Sequence, residues 1–229
     1  MTANNFQRIE KKFWMSPSQY QSLIHVLKDR IEIDPHGKST ITNIYYDTKY
    51  YDLIRRSIER PFFKEKIRLR SYGIPHDDST VYLELKRKYD GVGYKRRTEL
   101  PFNRALQFMQ NTVTPETQIE KEIKEFLNRY QVEPKVLLTY ERIPCYLKDD
   151  PSFRITFDSK LRYKKWTDDI VIKDDGKFIM DEPDRILLEI KTEKALPLWL
   201  SETLNRLEIY QAPFSKIGTC YTKHLVKGE

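Results

Sequence analysis

The chain is poor in the residues that mark a cross-linked or membrane-spanning protein. Its only cysteines are Cys145 and Cys220. They lie far apart, with no companion ligands at metal-site spacing, so neither a disulfide scaffold nor a zinc site is indicated. No apolar run approaches the roughly 20 residues that a helix needs to cross a bilayer. The polar start from Met1 to Gln7 lacks the hydrophobic stretch of a secretory signal, and a soluble, cytoplasmic protein is expected. Internal repeats, low-complexity tracts and linkers are missing as well, so a single domain over residues 1–229 is the expected organisation. What the chain does have is enough apolar material for a real core, with 39% hydrophobic and 13% aromatic residues. Its 41 basic residues against 34 acidic ones give a net charge of +7, which favours a polyanionic partner.

The most informative stretch is Val81 to Glu99, VYLELKRKYDGVGYKRRTE. Leu83 and Leu85 alternate with Glu84 and Lys86, the period of two that makes a strand with one apolar and one charged face. After Asp90 and Gly91, a hairpin signal, the pattern resumes with Lys95, Arg97 and Glu99 on one side. For this hairpin alone a solvated outer face is the simpler reading. Repetition changes the balance. Arg8, Glu10 and Lys12 share a face opposite Ile9 and Phe13. Lys66, Arg68, Arg70 and Tyr72 oppose Ile67 and Leu69; cations at alternate positions repel unless solvent or an anion screens them. Further strands are expected at Ile41 to Asp47, Val136 to Ile143 (with Arg142), Phe153 to Tyr163 (with Arg154) and Arg185 to Thr192 (with Glu189 and Lys191).

Between these strands the period turns helical. Ser16, Pro17 and Gln19 form a capping-box start, with Tyr20, Leu23, Leu27 and Ile31 as the apolar stripe. A short helix is expected near Tyr50 to Ser57, others over Asn103 to Gln110, Pro115 to Tyr130 and Pro197 to Ile209, and a last short one after Pro213. Lys164 to Asp184 reads as a long polar hairpin loop with a short strand near Lys177 to Met180. The expected fold is α+β: an eight-stranded antiparallel β-barrel, or tunnel, with helices packed on the outside. Charged side chains would then line its lumen, and so many confined cations call for an elongated polyanion. The interleaved glutamates suggest a divalent cation bound together with substrate phosphates.

These residues resemble the VTC-type polyphosphate polymerase domain, within the triphosphate tunnel metalloenzyme class. The resemblance covers nearly the whole chain and rests on the order and spacing of RIEKKF at Arg8 to Phe13, NIYYDT at Asn43 to Thr48, KIRLRSYG at Lys66 to Gly73 and LELKRKYDGVGYKRR at Leu83 to Arg97. It continues through Tyr140 to Arg142, RITFD at Arg154 to Asp158, LLEIK at Leu187 to Lys191 and FSK at Phe214 to Lys216. It implies that Lys12, Arg68, Arg70, Lys86, Lys95, Arg142 and Arg154 form the catalytic set against phosphate oxygens. Arg8, Lys66, Arg97, Lys191 and Lys216 would add phosphate contacts. Glu189, with Glu10 and Glu84, would hold Mg²⁺ or Mn²⁺. The first strand reads Arg-x-Glu-x-Lys where other branches of the class favour Glu-x-Glu-x-Lys, which favours the VTC-like branch.

The reaction implied is transfer of the ATP γ-phosphate to a growing inorganic polyphosphate chain, with positioning and charge neutralisation in place of a covalent nucleophile. Alternatives are hydrolysis of a triphosphate or polyphosphate at the same site and a non-catalytic polyphosphate-binding module. A nucleic-acid module is disfavoured, because its cations should form an outward patch without interleaved glutamates. A histidine-based kinase is disfavoured too, since His25, His36, His76 and His224 fall outside the charged strands. A membrane-protein partner for the polymer is expected to lie on another chain, not visible in this sequence.

Overall fold

The computed structural model describes residues 9–35, 37–59, 61–90 and 92–226. In chain order the elements are β1 (Ile9–Met15), α1 (Pro17–Leu27), β2 (Ile31–Ile33), β3 (Ser39–Asp47), α2 (Asp52–Ile58), β4 (Phe63–Tyr72), β5 (Thr80–Tyr89) and β6 (Val92–Pro101). There follow α3 (Phe102–Met109), α4 (Gln118–Arg129), β7 (Glu133–Leu147), β8 (Asp150–Lys165), β9 (Lys177–Phe178), β10 (Ile186–Thr192), α5 (Leu198–Arg206) and α6 (Lys216–Cys220), which runs on into a π-helical turn, Tyr221–Leu225. Eight strands lie on one continuous ladder path, with β2 and β9 as short branches. This is the helix-covered antiparallel α+β fold expected from the sequence.

Packing divides the chain into two compact units, one from Met1–Ser39, Tyr140–Leu161 and Met180–Phe214, the other from Thr40–Thr139, Arg162–Ile179 and Ser215–Glu229. In the first, the strand order is β1-β10-β8-β7, with β2 on β7. Phe13 and Met15 of β1, Phe153, Ile155 and Phe157 of β8, and Leu188 and Ile190 of β10 form one apolar face. Leu23 and Leu27 of α1 and Leu200 and Leu204 of α5 cover it. The α1 cap is the one expected: Ser16 Oγ accepts from Gln19 N at 3.2 Å, and Gln19 Oε1 accepts from Ser16 N at 2.9 Å. Ile31 does not extend the helical stripe. The helix ends at Leu27 with Lys28 as its C-cap, and Ile31 instead opens β2, which pairs with Cys145–Leu147. Three residues are too few to display a strand period.

In the second unit the order is β7-β3-β4-β5-β6. Ile67 and Leu69 of β4 and Leu83 and Leu85 of β5 bury one face against Ala105, Phe108 and Met109 of α3 and Ile123, Phe126 and Leu127 of α4. The β5/β6 ladder closes at Tyr89↔Val92. Asp90 takes the left-handed conformation, φ 43°, that Asp tolerates in tight hairpin turns; Gly91 lies outside the described residues. The stretch after β8 is less of a free loop than its polarity predicts, because Trp166, Ile170 and Ile172 pack against the same core.

Candidate functional site

Burying one face of each sheet under helices commits the alternate residues to the other face, and there the charges gather. In the second unit, Lys66 faces Lys86 across β4/β5, and Lys86 faces Lys95 across β5/β6. Directly opposed like charges destabilise a sheet unless something neutralises them. The next row reads Tyr45, Arg68, Glu84, Arg97, and the one beyond it Asn43, Arg70, Tyr82, Glu99. Glu84 has no exposed surface and Arg68 only 7%. Arg68 donates from Nε and Nη2 to Glu84 Oε2 at 2.8 and 2.6 Å, and from Nη1 to the Tyr45 hydroxyl at 2.9 Å. Lys95 Nζ lies 2.6 Å from Glu84 Oε1, and Arg97 Nε 3.8 Å from the same oxygen.

The guanidiniums are held from outside the charge cluster as well. Arg70 Nε donates to Asn43 Oδ1 at 3.1 Å, while Asn43 Nδ2 donates to the Leu138 carbonyl at 3.3 Å. Arg97 stacks 3.4 Å above the Tyr82 ring, and its buried Nε makes no hydrogen bond. Burial alone would raise the Glu84 pKa, but Arg68 and Arg70 outweigh it and hold the carboxyl well below its usual range. Burial, helped by Arg97 and Arg68, lowers the Lys95 ammonium despite the Glu84 contact. The face carries far more positive than negative charge, clamped in fixed orientations.

The charged face of the first unit is better balanced. Arg142 of β7 is gripped by Asp158 of β8 in a two-point ion pair, Nε to Oδ1 at 2.6 Å and Nη2 to Oδ2 at 2.7 Å, and Nη2 also donates to Glu189 Oε2 at 3.0 Å. Lys12 Nζ stands between two carboxylates, 3.4 Å from Glu10 and 3.6 Å from Glu189, and donates to the Phe214 carbonyl at 3.0 Å. Lys191 Nζ lies 3.8 Å from Glu189. Burial opposes charge on Arg142, but Tyr140, Asp158 and Glu189 outweigh it and raise its pKa well above the ordinary value. Burial likewise opposes ionisation of Glu10, and Lys12 and Lys191 lower its pKa nonetheless. Arg154 pairs with Asp34 at 3.0 Å.

Over residues 7–224 the chain matches the VTC domain. It belongs to the VTC domain family. Subunit 4 of the vacuolar transporter chaperone complex from Schizosaccharomyces pombe is 27% identical over 192 residues, an alignment covering 70% of this chain. The chain spans about a quarter of that protein, 26% of its length. In fold, the VTC domain is similar to a solved structure of a candidate adenylate cyclase from Bacillus halodurans, at TM-score 0.56 and 15% identity, over 91% of this chain and 93% of that one.

Of the residues singled out in the VTC domain sequence, the second unit brings together Lys66, Arg68, Arg70, Glu84, Lys86, Lys95 and Arg97 on β4, β5 and β6. The first unit brings together Glu10, Lys12, Arg142, Arg154, Glu189 and Lys191. Lys216 opens α6 in the second unit. Arg8 lies outside the described residues. Sequence reasoning missed Tyr45, Asn43 and Tyr82, which orient arginines, and Asp158, which grips Arg142. Strand parity places Asp158 on the charged face with Arg154, so a signal for it existed. Tyr45 and Asn43 sit in NIYYDT, a motif that carries the resemblance but gave neither residue a role.

Proposed function

We propose that this VTC domain is a metal-dependent phosphotransferase that moves the γ-phosphate of ATP to the end of an inorganic polyphosphate chain. The observation that carries this reading is the opposed row Lys66, Lys86, Lys95, set beside Arg68, Arg70 and Arg97 with Glu84 buried among them. Such a surface fits a ligand with a negative charge on every repeat. Arginine forks grip phosphate oxygens in pairs, while the lysines act as point charges along the chain.

No side-chain nucleophile is required. A terminal oxygen of the acceptor chain forms the new bond to the γ-phosphorus as the bond from that phosphorus to the bridging oxygen breaks, and ADP departs with the electron pair. Fixed cations offset the charge spread over the transferred group at no reorganisation cost. Water in place of the acceptor would make the same groups a triphosphatase, the second reading.

Glu10 and Glu189 flank a cation already, the Lys12 ammonium, and two carboxylates completed by phosphate oxygens suit Mg²⁺ or Mn²⁺. Among the described residues there is no group of three or more His, Cys, Asp or Glu that could hold a metal. When bound, the ion would neutralise phosphate charge. Glu84 reads first as the counter-charge that fixes Arg68 and Lys95, with Arg68 held on one of its oxygens and Lys95 Nζ 2.6 Å from the other. The naming of the yeast relative as a complex subunit supports partner chains for this domain too. Glu189→Gln tests the proposal. Turnover with ATP and Mn²⁺ should fall at least ~100-fold while polyphosphate binding persists; equal loss of both would leave the residue a binding role alone.

A further inference from the structure

The second unit exposes both faces of its sheet at the tip of the β5–β6 hairpin. The helix cover ends where Glu65 of β4 holds Arg87 of β5 at 2.7 Å and Arg129 of α4 at 3.3 Å. Beyond it, Phe63, Tyr89 and Tyr94 lie on the former core side of the strands but meet solvent, with exposures of 41%, 52% and 47%. Phe62, 59% exposed, packs edge-on against Tyr89 with ring centroids 4.5 Å apart. On the opposite side Lys64 and Lys88 are cross-strand partners. Lys64 Nζ donates to the Ser57 carbonyl at 3.2 Å, which ties in the end of α2 and its exposed Ile58. Asp90 at the turn is an exposed carboxylate.

Large rings left in water at the end of a projecting hairpin contribute nothing to the core. Clustered as they are, they mark a surface that is covered in use. The occupant can be argued from residue type and charge. The tip presents exposed rings on one face and lysines on the other. It carries lysines on a chain of net charge +7. Tyrosine and phenylalanine beside long basic stems suit a headgroup layer, where the rings sit at the apolar boundary and the ammoniums reach lipid phosphates.

We infer that this hairpin tip docks on an anionic lipid bilayer, with Phe62, Phe63, Tyr89 and Tyr94 entering the headgroup region and Lys64 and Lys88 against its phosphates. The inference rests on no part of the phosphotransfer reading, and its readouts are independent of turnover. The test is co-sedimentation of the full chain with vesicles of phosphatidylcholine alone or mixed with phosphatidylserine. Binding should require the anionic lipid. It should weaken about tenfold or more in the double variant Phe62→Ser/Tyr89→Ser and about fivefold in Lys88→Gln. Lys38→Gln/Lys160→Gln, a pair of exposed lysines in the first unit, should leave it unchanged. Tyr94→Trp should show a blue-shifted emission on adding anionic vesicles. Unchanged melting temperatures confirm that these exposed substitutions leave the fold intact. Equal partitioning of wild type and tip variants would overturn the inference. So would lipid-independent self-association lost in the tip variants, which would make the patch an interface between copies.

Discussion

The two charged faces use one device to different ends. In the second unit, Lys66, Arg68, Arg70, Lys86, Lys95 and Arg97 share the buried Glu84 and, one row along, the exposed Glu99. In the first, Arg142, Lys12 and Lys191 alternate with Asp158, Glu189 and Glu10 until the charges nearly balance. A face with excess positive charge attracts a polyanion and repels a bare metal ion. A balanced face holds little polyanion by charge alone, yet offers carboxylate oxygens to an ion that arrives with phosphate.

The sharpest way to break the comparison is to remove the carboxylate on which the positive face depends. Glu84→Gln leaves Arg68 buried without its partner and should cost about 3 kcal/mol of folding stability, read by urea unfolding. Its pH dependence carries a sign. A carboxyl held below its normal range in the folded state contributes stability that is complete above the unfolded value of about 4.3. That stability is lost as pH falls below this value toward the folded one. Wild type should therefore lose stability steeply below about pH 4.5, and Glu84→Gln should flatten that slope. An unchanged slope would mean that Glu84 is not the ionised keystone.

Next in size, Lys86→Gln removes the centre of the lysine row. Polyphosphate affinity should drop about tenfold at low salt and less at high salt, because the contact is ionic and partly exposed. A smaller effect is expected from Tyr82→Leu, which takes away the ring beneath Arg97. About 1 kcal/mol of cation–π attraction corresponds to roughly fivefold in affinity. At the low end, Glu10→Gln on the balanced face should leave polyphosphate affinity within twofold and stability within about 0.5 kcal/mol, while raising the Mn²⁺ concentration needed for turnover. If Glu10→Gln impaired polyphosphate binding as much as Lys86→Gln does, the two faces would not differ in kind.

Much of this arrangement was legible in the sequence, because a strand buried on one side writes its face in every second residue. Arg68, Arg70, Glu84, Lys86, Lys95 and Glu189 all follow from that period, and the Asp90 turn fixed the hairpin. Partners across strands were less legible. Asn43 meets Arg70, and Tyr45 meets Arg68, only because β3 and β4 pair in one register, and a residue's own alternation says nothing about its neighbour strand. Parity likewise could not tell that Glu84 would be enclosed by Arg68 and Lys95 while Glu10 remained half open. β2 escaped because three residues carry no period. The aromatic tip escaped because Phe63, Tyr89 and Tyr94 obey the core alternation; the ends of the helices, far off in sequence, decide that they stay in water.

One measurement bears most directly on what the molecule does: incubation of the purified protein with ATP and Mn²⁺ or Mg²⁺, following ADP, orthophosphate and polyphosphate length in the same samples. ADP appearing together with lengthening chains, and neither forming with Glu189→Gln, is the predicted result. Orthophosphate released with no chain growth would contradict it and make the protein a hydrolase, and no turnover with any nucleoside triphosphate would leave it a binding domain.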